Sequence, residues 1–163
     1  MKREEVLRMK TVSNYDVYLD EDGHPYLKEK GRFVSEERYY NSPNKVAGLF
    51  RQRFSIHRKA EEYAYLLSLN HGSEVLGIFE ISHGGGSCTY LTTREVMMRN
   101  LLCGATHFIV VHNHPSGCVE PSGDDMEVYR RLKRAGSLMN VPISDFIIIG
   151  RGDMFSYMEH EML

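Results

Sequence analysis

Two histidines, a serine and an aspartate stand close together in the second half of this chain. His112 and His114 flank Asn113, seven residues separate His114 from Ser122, and two separate Ser122 from Asp125. Imidazole nitrogens and carboxylate oxygens are common protein ligands of zinc. A histidine pair alone is weak evidence, since histidines on a strand are often simply packed or exposed. The combination with a hydroxyl and a carboxylate predicts a zinc site that activates water.

A strand has to deliver the two histidines to such a site. The apolar, β-branched run from Thr106 to Val111 predicts one that leads directly into the motif. If the strand continues through His114, side chains two residues apart share a face, so His112 and His114 point together while Asn113 points away. Pro115 then ends the strand because it has no N–H to donate.

A helix pattern follows the motif, from about Asp124 to Asn140. Ser122 and Asp125 have the Ser-x-x-Asp spacing of a helix N-cap and its reciprocal partner, which is a purely structural interpretation of both residues. The same serine can cap the helix and also do chemistry, so the two interpretations compete only in part. The apolar stripe expected to pack on the core comprises Val128, Leu132, Ala135 and Met139.

Helix and strand patterns alternate through residues 42–163 without repeats. The other predicted elements are a helix opened by Ser42-Pro43, a hairpin of Tyr63–Leu69 and Val75–Ile81, a helix from Thr92 or Thr93 to about Cys103, and a strand over Ile143–Ile149. This alternation predicts an α/β fold, a single domain with a central mixed β-sheet flanked by helices.

Residues 1–41 are polar and carry turn signals at Glu21-Asp22-Gly23 and Lys30-Gly31. They predict an N-terminal extension, a loosely attached hairpin or a partly ordered segment, rather than a second domain. A tight or flexible segment is expected at Gly84-Gly85-Gly86.

Composition excludes several classes of protein. A chain of 163 residues fits one domain, and 42% apolar with 26% charged residues is ordinary for a globular protein. No stretch approaches the roughly 18 apolar residues of a membrane span, and the charged N-terminus does not resemble a signal peptide, so a cytoplasmic location is expected. Reduced thiols in or near the core are expected at Cys88, Cys103 and Cys118.

The net charge of −2 argues against a surface built mainly to bind phosphates. Two local basic clusters exist nevertheless, and solvated helix faces explain both. They are Arg51, Arg53, Arg58 and Lys59, and Arg130, Arg131, Lys133 and Arg134.

The spacing of the His-x-His, Ser and Asp residues resembles the JAMM (JAB or MPN-plus) metalloprotease motif. The sequence His-Asn-His-Pro-Ser-Gly at 112–117 resembles the bacterial RadC-like branch in particular. The resemblance extends from about Ser42 to Ile149, about two thirds of the chain, and includes Thr93-Arg94-Glu95-Val96 and Asp145. It implies a JAB/MPN domain, with a cytidine-deaminase-like architecture, over residues 42–163.

The resemblance also implies roles for individual residues. His112, His114 and Asp125 would bind Zn²⁺ and leave its fourth position to water, as in catalytic rather than structural zinc sites. Ser122 would donate to the oxyanion that forms on attack. A glutamate at the start of an earlier strand would act as general base, and Glu62 is the choice because it precedes the predicted strand from Tyr63.

Three other glutamates remain candidates for the base, and two residues depart from the family pattern. Glu61 would face the other side of the strand, and Glu74 and Glu80 are the next candidates for the base. Many relatives have histidine at Phe146 and an acidic residue at Cys118, which leaves zinc binding in place but puts substrate preference in doubt. Ordinary surface or packing roles are expected of His24, His57, His71, His83, His107 and His160.

Three functions are compatible with these residues. The first is a zinc-dependent hydrolase of peptide or isopeptide bonds, with a protein or peptide substrate. The second is a DNA-associated protein, since the RadC-like family carries a DNA-repair label that only the two basic clusters support here. The third is a non-catalytic, metal-stabilised interaction module. The substrate and the oligomeric state stay open, and a zinc deaminase is disfavoured because its His-x-Glu and Pro-Cys-x-x-Cys signatures are missing.

Overall fold

The computed structural model describes residues 10–84 and 91–162, and in those ranges seven strands form one sheet with three α-helices on its faces. The strands are β1 (Lys10–Leu19), β2 (Pro25–Ser35), β3 (Tyr63–Leu69), β4 (Val75–His83), β5 (His107–Asn113), β6 (Ile143–Ile149) and β7 (Met154–Ser156). The helices are α1 (Pro43–Phe54), α2 (Thr93–Leu102) and α3 (Gly123–Leu138).

The strand order across the sheet is β2-β1-β4-β3-β5-β6-β7. Strand β5 lies near the middle, antiparallel to β3 and parallel to β6. Both parallel and antiparallel pairs occur, since β1 also joins β4 in parallel. The predicted α/β fold with a central mixed sheet is confirmed.

Each face of the sheet is covered by helices, which explains why the central strands are apolar on both sides. Helix α1 packs Val46 and Phe50 against one face, whereas α2 and α3 pack Val96 and Leu132 against the other. The two faces of β3 show the division, since Leu66 belongs to the α2–α3 side and Leu67 to the α1 side. None of the helices in the described ranges combines the length and the apolar character of a membrane span.

The bounds of the central elements follow the sequence pattern closely. Strands β3 and β6 have the predicted bounds, and α2 begins after the N-cap Thr92, whose hydroxyl accepts from the Glu95 N–H at 3.3 Å. Met139 does not pack on the core as expected, because α3 ends at Leu138 and leaves Met139 44% exposed. Strand β7 was not predicted, since three residues carry little pattern of their own.

The N-terminal extension contains the long hairpin β1–β2, which joins the sheet beside β4 and places β2 at its edge. Val12 is buried, and the Tyr15 ring packs beside Phe79 of β4 with ring centroids 6.0 Å apart. These contacts attach the hairpin to the domain more firmly than the polar sequence of residues 1–41 indicates.

Two expectations concern residues outside the described ranges or at their border. Of the segment Gly84-Gly85-Gly86, only Gly84 belongs to the described residues. Cys88 lies outside them. Of the other two cysteines, both free, Cys103 is half-buried and Cys118 is exposed. The expectation that the thiols lie in or near the core is therefore wrong for Cys118.

Candidate metal centre

The His-x-His motif lies at the carboxyl end of β5, on the face of the sheet that α2 and α3 cover. His112 pairs with Ala64 of β3, and its side chain is only 2% exposed. The strand ends at Asn113, and the His114 N–H donates to the Ile149 carbonyl at 3.3 Å, which continues the alignment with β6 for one more residue. Both imidazoles therefore point toward the start of α3.

Asp125 lies in the first turn of α3 and meets both imidazoles. Its Oδ1 is 3.6 Å from His112 Nε2, and its Oδ2 is 3.3 Å from His114 Nε2. One ligand atom from each residue lies within 4.8 Å of the other two. Two nitrogens and one carboxylate oxygen in this arrangement could hold a metal ion and are compatible with zinc.

Backbone carbonyls orient both imidazoles. His112 Nδ1 donates to the Tyr63 carbonyl at 3.1 Å, and His114 Nδ1 donates to the Cys118 carbonyl at 2.8 Å. A carbonyl only accepts, so each Nδ1 carries a proton and each Nε2 is the atom left for a metal. Such partners of the second nitrogen are typical of metal-binding histidines. The residues present thus fit a zinc ion.

The loop that supplies the Cys118 carbonyl packs closely against the end of β6. Gly117 has a φ of +88°, which favours glycine, and a Cβ added at Gly150 would lie 2.5 Å from the Gly117 carbonyl oxygen. Glycine at both positions lets the two backbone segments touch, so the loop holds His114 against a rigid strand end.

Ser122 forms a complete capping box with Asp125. The Asp125 N–H donates to Ser122 Oγ at 3.1 Å, and the Ser122 N–H donates to Asp125 Oδ2 at 2.8 Å. The Ser122 hydroxyl also donates to the same Oδ2 at 2.7 Å. The structural role considered from the sequence is therefore present, and it orients the carboxylate toward the histidines.

The charges at this site are strongly coupled. Burial opposes ionisation of Asp125, but hydrogen bonds with His114 and Ser122 outweigh it and hold the pKa of Asp125 well below its ordinary range. Burial lowers the pKa of His112 to about 4, so that imidazole is neutral at pH 7 and able to bind a metal. The hydrogen bond with Asp125 raises the pKa of His114.

Glu62 lies at the same site, just before β3 begins. Its Oε2 is 3.9 Å from His112 Nε2 and, among the described residues, has no hydrogen-bond partner although the atom is buried. Burial raises the pKa of Glu62, and the nearby charges of Asp125 and Asp124 raise it further while His114 opposes them. A carboxylate of this kind is suited to accept and return a proton.

The other three glutamates considered as the base have partners elsewhere. Glu61 is exposed and lies 3.4 Å from the His83 imidazole. Glu80 accepts from the Tyr65 hydroxyl at 3.3 Å, and Glu74 pairs with Lys10 and Arg38 at the far end of β3. Of the four, Glu62 is the one that approaches a histidine of the motif.

The sequence-based interpretation assigned no role to Asn113, beyond pointing away from the two histidines. The structure buries Asn113 and joins its amide to the backbone on both sides of Glu62: the Tyr63 N–H donates to Oδ1 at 2.7 Å, and Nδ2 donates to the Glu61 carbonyl at 3.1 Å. A polar residue within a buried apolar strand was the only sign of this in the sequence.

The two departures from the family pattern are not among the side chains that could hold a metal at this site. Cys118 contributes its carbonyl oxygen, not its thiol, to the orientation of His114. Phe146 is fully buried and packs its ring against Tyr157. The neighbouring Asp145 accepts from the Ser156 hydroxyl and the Met158 N–H, so it anchors the C-terminal segment.

The described residues contain one other group with metal-binding side chains, at the tip of the β1–β2 hairpin. Asp20, Asp22 and His24 are all exposed. The Asp20 carboxylate accepts from the N–H groups of Asp22 and His24, which is an ordinary turn function for aspartate. This group carries no functional assignment.

Comparison with known proteins gives the class to which this fold and site belong. The model of the RadC-like JAB domain matches residues 40–162, which is most of the chain. The protein therefore belongs to the RadC-like JAB domain family. The hairpin β1–β2 lies outside the matched residues.

Several curated relatives, each named a UPF0758 protein, share this domain. The relative from Geotalea uraniireducens is 37% identical over 132 residues, which cover 81% of this chain and 57% of that protein. The relative from Rubrobacter xylanophilus is 38% identical over 123 residues, covering 76% of this chain and 53% of that protein. The chain spans about half the length of the curated relatives it matches.

Proposed function

We propose that this protein is a zinc-dependent hydrolase that cleaves a peptide or isopeptide bond of a protein substrate. The observation that carries the proposal is the meeting of four groups: the ligand atoms of His112, His114 and Asp125, and a buried Glu62 oxygen that has no hydrogen-bond partner among the described residues. Three neutral or anionic ligands leave one position of a tetrahedral zinc open for chemistry.

His112, His114 and Asp125 would hold the zinc, which when bound would acidify a water and polarise the substrate carbonyl. Glu62 would take a proton from the attacking water as the water oxygen bonds to the carbonyl carbon of the substrate. When the C–N bond breaks, Glu62 would return that proton to the leaving nitrogen. The site opens to solvent through His114 and Glu62, whose side chains are 13% and 23% exposed.

Ser122 would stabilise the oxyanion that develops on the substrate carbonyl. The residue is exposed at the start of α3, so a substrate can reach it. Its hydroxyl hydrogen now points to Asp125, so this role requires the hydroxyl to rotate toward the substrate.

Zinc binding is tested by metal analysis of purified protein. We expect about one zinc per chain for the wild type and a large loss for His112→Ala. The matched control is His24→Ala, which alters the exposed hairpin group and should leave the zinc content unchanged. A wild-type content near zero without chelators, or equal losses in both variants, contradicts the proposal.

Catalysis is tested by a peptide-library cleavage screen read by mass spectrometry. Glu62→Gln should keep the zinc and the fold but abolish turnover, because the amide cannot accept the proton. Glu61→Gln is the matched control, since the adjacent carboxylate pairs with His83 instead, and it should cleave like the wild type. Persistent cleavage by Glu62→Gln excludes Glu62 as the base.

The same variant separates the hydrolase from a metal-stabilised interaction module. In a module, the wild type binds zinc, cleaves nothing, and Glu62→Gln leaves partner binding unchanged.

A DNA-associated function is the second candidate, and one observation favours it. Arg130, Lys133 and Arg134 of α3 line an open depression together with Ser137 and Leu138, so one basic cluster is free to meet phosphates. In the other cluster, Arg51 and Arg53 instead donate to backbone carbonyls of this chain. Salt-dependent DNA binding that Arg130→Ala with Arg131→Ala weakens would support this function, and no binding at low salt would contradict it.

A further inference from the structure

The Asn113 side chain lies where it can control the position of Glu62. Asn113 is 1% exposed, and its amide has partners on both sides of Glu62, the Tyr63 N–H at 2.7 Å and the Glu61 carbonyl at 3.1 Å. One side chain of β5 thus holds the two peptide groups that flank Glu62.

The strand pairing explains why such a restraint is needed. The register of β3 with β5 begins at Ala64, which pairs with His112, and β3 itself begins at Tyr63. Residues 61 and 62 precede the ladder. The Glu62 carbonyl accepts from the Gly84 N–H at 2.9 Å, which restrains the segment from the β4 side. The Asn113 amide supplies the restraint from the β5 side.

The chemistry of the side chain matches this double task. An asparagine amide offers one acceptor and one donor group a short distance apart, whereas aspartate can only accept and leucine can do neither. Asn113 also stands between two metal ligand candidates, so its clamp links the position of the base to the position of the histidines.

We propose that Asn113 is a positioning residue for Glu62, which keeps the Glu62 carboxylate beside His112. The inference rests on the proposed function, because it gives Glu62 the role of the base. Asn113 itself touches neither the substrate nor the reacting atoms.

The first test is hydrogen exchange of the Tyr63 amide, followed by NMR on the zinc-loaded protein. Asn113→Leu removes both hydrogen bonds with a side chain that also branches at Cγ but is larger, and Asn113→Asp keeps the acceptor. Relative to the Leu67 amide inside β3, we expect Tyr63 exchange to be about tenfold faster in Asn113→Leu and nearly unchanged in Asn113→Asp. Equal exchange in the wild type and Asn113→Leu overturns the clamp, whether or not the protein cleaves peptides.

The second test is kinetic. Asn113→Leu should lower kcat by about 10- to 100-fold with KM and zinc content unchanged, since a small misplacement of a catalytic group is costly. The matched control is Asn100→Leu, which alters another fully buried amide, one bonded to Ser68 away from the site. Equal kcat losses in both variants mean a structural effect only and overturn the positioning role.

A crystal structure of Asn113→Leu completes the test without activity. We expect its Glu62 carboxylate to move away from His112, and an unmoved carboxylate contradicts the proposal. If the wild type loads zinc but cleaves nothing, the proposed function fails, whereas the exchange and crystallographic results still decide whether Asn113 holds Glu62.

Discussion

At the residue scale, Ser122 combines a helix cap and a chemical group in one side chain. Its Oγ accepts from the Asp125 N–H and donates to the Asp125 carboxylate. The first bond stabilises the start of α3, and the second orients a ligand candidate. Removing the hydroxyl therefore changes the stability of the fold and the chemistry of the site together, unless the new residue is itself tolerated as an N-cap.

Glycine and alanine separate the two contributions of Ser122. Ser122→Ala should lower the free energy of unfolding by about 1 kcal/mol, whereas Ser122→Gly should cost only a few tenths, since glycine is tolerated as an N-cap. Both should lower kcat by about 10²- to 10³-fold if the hydroxyl stabilises an oxyanion. Urea unfolding and kinetics of the zinc-loaded variants measure the two effects, and full activity in Ser122→Gly argues against the catalytic role.

Individual residues also show how much of the site could be predicted from the sequence. The resemblance of this segment to the JAMM motif was sufficient to propose His112, His114 and Asp125 as the ligands, since their spacing matches that motif. The clamp by Asn113 was not accessible, since its partners at Glu61 and Tyr63 are 52 and 50 residues distant in the chain. Only the pairing of β3 with β5 brings them together.

At the element scale, continuous apolar runs were the most reliable guides. Strands β3 and β6 are buried on both faces, so burial alone determined their residues and their bounds. Strand β7 has only three residues and pairs with β6, and the hairpin β1–β2 joins the sheet through β4. Elements that owe their stability to tertiary contacts leave a weak local signal.

The connection from α3 to β6 depends on a glycine inside the helix. A Cβ added at Gly136 would lie 2.6 Å from the Val141 carbonyl oxygen and 3.2 Å from Pro142 Cα. These are backbone atoms, so an alanine at position 136 cannot be accommodated without moving the segment that leads into β6. Gly48 in α1 offers the opposite case, because a Cβ there meets nothing within 4 Å.

The two glycines allow a matched prediction. Gly136→Ala should lower the free energy of unfolding by about 1–3 kcal/mol through overpacking. Gly48→Ala should raise it by about 0.5–1 kcal/mol, since alanine favours a helix interior. Urea unfolding of both variants is the measurement, and a stabilising effect of Gly136→Ala contradicts the close packing described for this connection.

At the scale of the whole molecule, Glu74 joins two segments distant in sequence, at Lys10 and Arg38, to the turn between β3 and β4. It lies before β4 and accepts from Arg38 Nε at 2.7 Å and Asn70 Nδ2 at 3.0 Å, while Lys10 Nζ of β1 is 3.4 Å away. The Arg38 hydrogen bond, with Asn70 and Lys10, lowers the pKa of Glu74 from 4.5 to about 2. The ionised carboxylate thus stabilises the folded state.

This pKa shift predicts a pH dependence of stability. The depressed pKa contributes stability that is fully present above about pH 4.5 and is lost as the pH falls toward about 2. Glu74→Gln should therefore be less stable than the wild type at pH 7, and the difference should shrink by pH 3. Urea unfolding at pH 7 and pH 3 measures the difference in stability. Glu127→Gln, which alters an exposed carboxylate, is the control. A difference that does not depend on pH excludes the carboxylate charge as its cause.

The hairpin β1–β2 changes which edge of the sheet faces other molecules. Without it, the residues that match the RadC-like JAB domain would leave β4 as an open edge, a ready template for pairing with another chain. The hairpin occupies that edge and presents β2 in its place, where Lys28, Lys30 and Arg32 are exposed. Since charged side chains discourage edge-to-edge pairing, the hairpin replaces an open edge at β4 with an edge strand that carries exposed charge.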